Sequence, residues 1–288
     1  MQQGILLIFE DITGLWTIEE GDVMKVAALG DNCIDLYQNL NRYYCTGNSV
    51  DFAVHMQRLG IDTSIISVTG NDEYGREMRA KLEREGLDTS HLHTEDGQTA
   101  VSYMELIDKE RVYGDYIEGV MEDAEFTEDD IAFAMEHDLI HTAFWGNAQA
   151  YLPELRDAGK KIAFDYADEY DDPLVKGTAP YVTYAFFSFE EDNDEVRTFL
   201  KEIAALGPDI TVATFGEKGS LAWDGDAFHI CGIHEADVVN TIGAGDSYIA
   251  GFMCGILRGS SIEEAMDLGA ATAAKVVSVF GPWPEEEQ

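Results

Sequence analysis

From residue 24 onward, short apolar, β-branched runs alternate with helix-length amphipathic segments, and this rhythm limits the chain to few architectures. The strand candidates are VAALG, TSIISVTG, DLIHTAF, KIAFDYA, VTYAFFS and ITVATFG. Between them SVDFAVHMQRLG, EYGREMRAKLEREG and EEDNDEVRTFLKEIAALG read as helices, the first two closed by a glycine at the C-terminal cap. Strands and helices in this order build a doubly wound α/β fold, a mostly parallel sheet with helices on both faces.

Two segments break the alternation, DLYQNLNRYYC near residues 35–46 and TAVSYMELIDKERVYGDYIEG near residues 99–119. The second reads as a hairpin around its polar DKE turn. Together they predict a small β-sheet lid over the carboxyl edge of the main sheet, where open α/β folds place ligands and where a lid excludes water.

The chain has 288 residues, 45% of them hydrophobic, enough to bury one large core, and no linker-like stretch divides it. One domain is expected over residues 24–283, with an acidic tail at 284–288. Residues 1–23 precede a second methionine, Met24, and are read as an N-terminal extension to a natural start at Met24; the competing reading is a genuine strand or a segment crossing to a partner.

Acidic residues outnumber basic ones by 56 to 18, a formal charge of -38. This field repels nucleic acid and anionic membrane surfaces and favours solubility. An anionic nucleotide approaching such a protein needs magnesium, glycine-rich amides and the few lysines to offset repulsion. Cys33, Cys45, Cys231 and Cys254 have no paired spacing and read as reduced thiols of a cytoplasmic protein. No apolar stretch approaches the roughly 20 residues of a membrane span.

The chemistry-bearing stretch is NTIGAGD, Asn240 to Asp246, followed by the apolar run SYIAGFMCGIL. Glycines on both sides of Ala244 permit a sharp turn, and a helix starting there points its positive end at an anion. Asp246 is placed to accept the proton of an attacking hydroxyl beside amides that hold the transferred charge. The bland alternative is a tight turn with an aspartate cap. Downstream, Ser261 and Glu264 stand at capping-box spacing, and the small residues from Gly269 to Ala274 suit either close helix packing or the approach of a flat ligand. His91 and His93 would share a strand face, but no third ligand is evident and no transition metal is assigned.

The order of a GD strand, a GN-initiated helix, TFGEKG, NTIGAGD and an alanine-rich final helix resembles the ribokinase or PfkB family of sugar kinases over about residues 24–283. The strings GDNCIDLY, RVYGDYIEGVM and GAGDSYIAGFMCG resemble the branch of that family acting on Amadori compounds. The resemblance implies ATP- and magnesium-dependent phosphorylation of the 6-hydroxyl of fructoselysine. The alternatives are another sugar or nucleoside kinase of the family and a non-catalytic sugar- or nucleotide-binding protein on the same fold.

By position, the resemblance places the catalytic base at Asp246 and the anion hole at Gly243, Ala244 and Gly245. It places sugar contacts at Asp35, Gly47 and Asn48, ATP contacts at Thr214, Gly216, Gly219 and Thr241, and magnesium support at Glu191. The chain departs from the family pattern at Asn240, Thr46, Asp51 and Ser188. Asn240 replaces an aspartate that helps form a monovalent-cation site in some members, so potassium activation is not carried over. Lids in the family can pair as a homodimer; a monomer fits the composition equally well. Asp115 and Glu118 are candidates for the ammonium groups of the substrate.

Overall fold

The computed structural model describes residues 24–107 and 110–284. The expected extension and all but the first residue of the acidic tail lie outside the described residues. In chain order the strands are β1 (Lys25–Leu29), β2 (Cys33–Tyr37), β3 (Arg42–Thr46), β4 (Asp62–Gly70), β5 (Asp88–Glu95), β6 (Val101–Ile107), β7 (Glu110–Ile117), β8 (Leu139–Ala143), β9 (Lys161–Asp165), β10 (Tyr184–Ser188), β11 (Ile210–Thr214), β12 (Ser220–Trp223) and β13 (Phe228–Cys231). The α-helices are α1 (Asn48–Arg58), α2 (Glu73–Glu85), α3 (Glu128–Ala134), α4 (Leu152–Asp157), α5 (Pro173–Thr178), α6 (Asp194–Ala204), α7 (Ala244–Leu257) and α8 (Ile262–Val277).

Nine strands form one sheet in the order β13-β12-β11-β10-β9-β8-β1-β4-β5. The pairs from β11 through to β5 are parallel, and β12 and β13 close one edge antiparallel. The central strands are apolar on both sides because both sides are covered. In β1, Val26 and Ala28 join one core with α1, α2, α7 and α8, whereas Ala27 and Leu29 join a second with α3 to α6. Phe186 and Phe187 of β10 divide between the two cores in the same way.

Helix ends follow local chemistry. Asp72 caps α2 by accepting the Gly75 N–H at 2.8 Å, and Gly86 ends that helix at φ 87°. Ser261 and Glu264 form the expected capping box on α8. The small residues of α8 serve packing: a Cβ on Gly251 of α7 would lie 2.8 Å from Gly269 Cα and 2.7 Å from Leu268 O. The flat-ligand reading of that stripe gives way to this close helix pair.

A second sheet, ordered β3-β2-β6-β7, holds both segments that interrupt the alternation. Its strands are spliced into crossovers of the main sheet: β2 and β3 lie between β1 and α1, and β6 and β7 between β5 and α3. This connectivity sets the small sheet beside the carboxyl end of β1. Among the described residues, no helix is long and apolar enough to cross a membrane.

Candidate active site

At the carboxyl end of β1 the chain turns through Gly30 and Asp31. Asp31 reaches the start of α1, where its carboxylate accepts the N–H groups of Asn48 (2.7 Å) and Ser49 (3.2 Å) and the Ser49 hydroxyl (3.1 Å). A carboxylate at this positive helix end is favoured by the dipole. Burial nonetheless raises the pKa of Asp31. Gly47, one residue before α1, has φ 125°, and a Cβ there would sit 2.7 Å from Asn32 Cα, so glycine alone permits this approach.

Asn48, so fixed, extends its side-chain amide between two carboxylates. Nδ2 donates to Asp246 Oδ1 at 3.0 Å and to Asp165 Oδ2 at 3.3 Å. Asp165 ends β9, and its other oxygen accepts the Ala167 N–H at 2.9 Å. Asp246 lies in the first turn of α7. Burial, then the charges of Asp165 and Asp31, raise its pKa well above the ordinary 3.8, while the Asn48 hydrogen bond opposes the shift. Burial likewise lifts Asp165 to about 6.

These groups face a cavity of about 120 Å³ lined by Asn48, Asp165, Ser188, Thr214, Gly245 and Asp246 on its polar side and by Phe186, Phe187 and Ile249 on its apolar side. The strand ends of β9, β10 and β11 and the N-terminus of α7 meet there. Gly243 starts the helix at φ 70°, and its Cα packs so near the C-terminal segment that a Cβ would lie 2.8 Å from Pro282 O. Gly245 is exposed, and a Cβ there would touch nothing within 4 Å. Ala244 differs from the expected open amide, since its N–H is turned back to Thr241 O at 3.3 Å.

Four expected site residues, Asn48, Thr214, Gly245 and Asp246, therefore share one cavity wall. Asp35 lies on the small sheet, 6% exposed, in register with Tyr44 of β3 and Ser102 of β6. Ser102 is in turn opposite Tyr116, so Asp35, Ser102 and Tyr116 form one row across that sheet. Gly216 and Gly219, at φ 56° and 93°, shape the turn after β11 outside the cavity lining. Glu191 is an exposed carboxylate 3.9 Å from Lys218 Nζ, which also donates to Glu190 O at 3.0 Å. Thr241 is exposed, its N–H held by Asn240 Oδ1 at 2.8 Å.

The departures acquire structural reasons. Asn240 Nδ2 donates to Phe280 O at 2.8 Å and to the Tyr37 hydroxyl at 3.4 Å, tying the glycine turn to the C-terminal segment and to β2. An aspartate has no donor for either contact. Asp51 is 2% exposed; Thr46 donates to its Oδ2 at 2.8 Å, while Oδ1 has no hydrogen-bond partner among the described residues. Burial and the charge of Asp246 raise its pKa well above 3.8. Two residues carry no site role in the sequence, Asp31, which enters only through the GD strand motif, and Asp165, whose only local signal is an acidic residue at the end of a parallel strand.

Asp246 at the mouth of α7 sets a carboxylate beside the N-terminal N–H groups of a helix, a place where proton acceptance and anion binding can meet. The sequence pattern of the pfkB family carbohydrate kinases matches residues 36–287. The chain belongs to that family. This kinase is 42% identical over 258 residues to the fructoselysine 6-kinase of Escherichia coli (strain K12), covering 90% of this chain and 99% of that one. It is 32% identical to a fructosamine kinase of Bacillus subtilis (strain 168), covering 90% and 92%. The fold matches a ribokinase of Arabidopsis thaliana complexed with ribose and ATP, with a TM-score of 0.79 at 18% identity over 91% of this chain and 95% of that one. An aminoimidazole riboside kinase of Salmonella enterica, complexed with aminoimidazole riboside and an ATP analogue, gives 0.73 at 21% identity over 90% and 95%. The kinase thus has the ribokinase-like α/β fold and is a phosphotransferase acting on a sugar alcohol group.

Proposed function

We propose that this kinase transfers the γ-phosphoryl group of ATP to the 6-hydroxyl of fructoselysine, producing fructoselysine 6-phosphate and ADP. The carrying observation is the Asn48 amide holding Asp246 at the N-terminus of α7, in a chain 42% identical to a fructoselysine 6-kinase along nearly that enzyme's whole length. As the acceptor oxygen bonds to the γ-phosphorus and the bond to ADP breaks, Asp246 takes the hydroxyl proton. The amides at Gly243 and Gly245 and the dipole of α7 face the charge that accumulates on the transferred group. A raised pKa makes Asp246 a better proton acceptor than an ordinary carboxylate. Asn48 is its positioning residue.

The donor set suits a hard cation. Asp165 and Asp246 put two carboxylates on the cavity wall, and none of its lining residues is cationic. Such oxygens fit magnesium, with Glu191 as a rim contributor and Lys218 beside it. Magnesium bound with ATP supplies charge neutralisation between the phosphates and these acids. Thr214, Gly216, Gly219 and Thr241 are proposed for the nucleotide side, and Asp35, Gly47 and Asn48 for the sugar. The small sheet acts as the lid of a single domain. Asp115 and Glu118, both exposed near Tyr116, offer charge to the ammonium groups of the lysine half.

Asn240 favours operation without an activating monovalent cation, because its amide already satisfies the Phe280 carbonyl. Equal rates in potassium and in tetramethylammonium salts are expected; strong potassium activation would refute this part. Exposed Tyr43, Val112 and Ile117 on the small sheet, with Leu40 in the turn joining β2 to β3, support pairing of two lids in a homodimer, which sedimentation would register. Four free cysteines fit a cytoplasmic setting. The deciding assay is magnesium-dependent ADP formation with fructoselysine, fructose, ribose and adenosine in parallel, with Asp246→Asn as control. Preferential turnover of fructoselysine is expected; preference for another acceptor discards the substrate assignment.

A further inference from the structure

Far from the cavity lining, at the open edge of the main sheet, β5 carries His91 and His93 on one face, as the two-residue strand period requires. Both imidazoles converge on the same oxygen of Asp130, from α3. His91 Nδ1 and His93 Nε2 each lie 2.7 Å from Asp130 Oδ1. The other carboxylate oxygen is held by the Thr127 N–H at 2.8 Å and the Thr127 hydroxyl at 2.7 Å. Asp130 is almost wholly buried, and His91 stacks flat on Phe133 with ring centroids 4.0 Å apart. His93 is 46% exposed and opens the group to solvent on one side.

The geometry points to a transition-metal site formed by His91, His93 and Asp130 and suited to zinc, separate from the magnesium proposed for phosphoryl transfer. Two imidazoles and one carboxylate are a zinc donor set that leaves a fourth position for water. Their ligand atoms all lie within 4.8 Å of one another, the only such group among the described residues. Ligand distances of about 2.0–2.2 Å in a tetrahedron require donor spacings of roughly 3.3 Å, so the 2.7 Å contacts must open by about 0.6 Å. The half-exposed His93 can supply that movement for its own contact, while the His91–Asp130 contact must open by the same amount between the packed faces of β5 and α3. Outer contacts that fix a ligand's orientation are already present, Thr127 on the carboxylate and Phe133 on one ring.

Binding needs no net proton release from neutral imidazoles. In the ligated form each imidazole carries its proton on the outer ring nitrogen, Nε2 of His91 and Nδ1 of His93, leaving the two facing lone pairs to the ion. The nitrogen donors select against magnesium, which prefers oxygen. The ion would tie the edge strand to α3, so its effect is on stability.

The test uses the full chain in magnesium-free buffer, titrated with cobalt chloride as a spectroscopic probe and with zinc chloride against a chromophoric chelator. One equivalent of cobalt should produce visible d–d absorption that zinc abolishes, and zinc should raise Tm. His93→Ala should weaken zinc binding at least roughly 10-fold and remove the Tm gain, with circular dichroism confirming the fold. His93→Asn serves if the alanine variant misfolds. Absence of stoichiometric binding at micromolar metal would overturn the site, as would undiminished affinity in the folded variant.

Discussion

Asp165→Asn isolates the cost of assembling carboxylates around the cavity. Burial raises this group from its ordinary 3.8 to about 6. A carboxyl group whose folded pKa is raised contributes stability below its unfolded pKa and loses that contribution as pH rises through the folded value. The full shift corresponds to about 3 kcal/mol. Asp165 is 6% exposed, so solvent screening discounts little of this. Between about pH 4.5 and about pH 7.5 the parent should lose about 2 kcal/mol relative to the variant.

The substitution also sets an amide NH₂ against the Asn48 NH₂ group, now 3.3 Å from Asp165 Oδ2. That penalty is independent of pH, so the difference between the two pH values reports the charge alone. Urea unfolding of both proteins at each pH measures it. Catalysis supplies a second reading of the same charge. Asp165 helps raise the pKa of Asp246, so its removal should move the acid limb of kcat/KM to lower pH. A stability difference that does not change with pH, together with an unmoved acid limb, would refute the reasoning.

Asp246→Asn should lower kcat by about 10²- to 10⁴-fold, the usual worth of a positioned base, with ATP affinity by calorimetry nearly unchanged; a near-normal rate removes Asp246 from that role. Asp51→Asn retains an acceptor for the Thr46 hydroxyl and removes a buried carboxylate with an orphaned oxygen. Its NH₂ group takes the place of the unpartnered oxygen, so the gain, a rise in Tm at neutral pH, comes from removing a desolvated charge beside Asp246 and shrinks toward acid as Asp51 takes up a proton. Equal Tm gains at both ends of the pH range would contradict that account. Gly251→Ala places a Cβ 2.7 Å from both Leu268 O and Thr272 Oγ1. Forcing α7 from α8 should cost about 1–3 kcal/mol, visible in thermal unfolding as a Tm fall of about 2–4 °C per kcal/mol, and an unchanged Tm would show that the helices yield freely.

Local pattern carried much of this architecture. Strands such as KVAAL and YAFFS could be read because burial on both faces makes them continuously apolar. The α8 cap could be read because Ser261 and Glu264 act across three residues. Polar β5 and the four-residue strands β12 and β13 lack such a signal, as do the short helices α3, α4 and α5. Their existence depends on neighbours supplied from elsewhere in the chain.

The candidate site divides along the same line. Sequence alone marked Asp246 and its glycine turn, since backbone freedom, helix polarity and proton acceptance lie within seven consecutive residues. Only tertiary structure could bring Asn48 across 198 positions to Asp246 and 117 to Asp165, or meet His91 and His93 with Asp130. Which strand ends become neighbours is decided by long-range sheet order. Local periodicity specifies that a strand is buried; it does not specify beside which strand the chain will bury it.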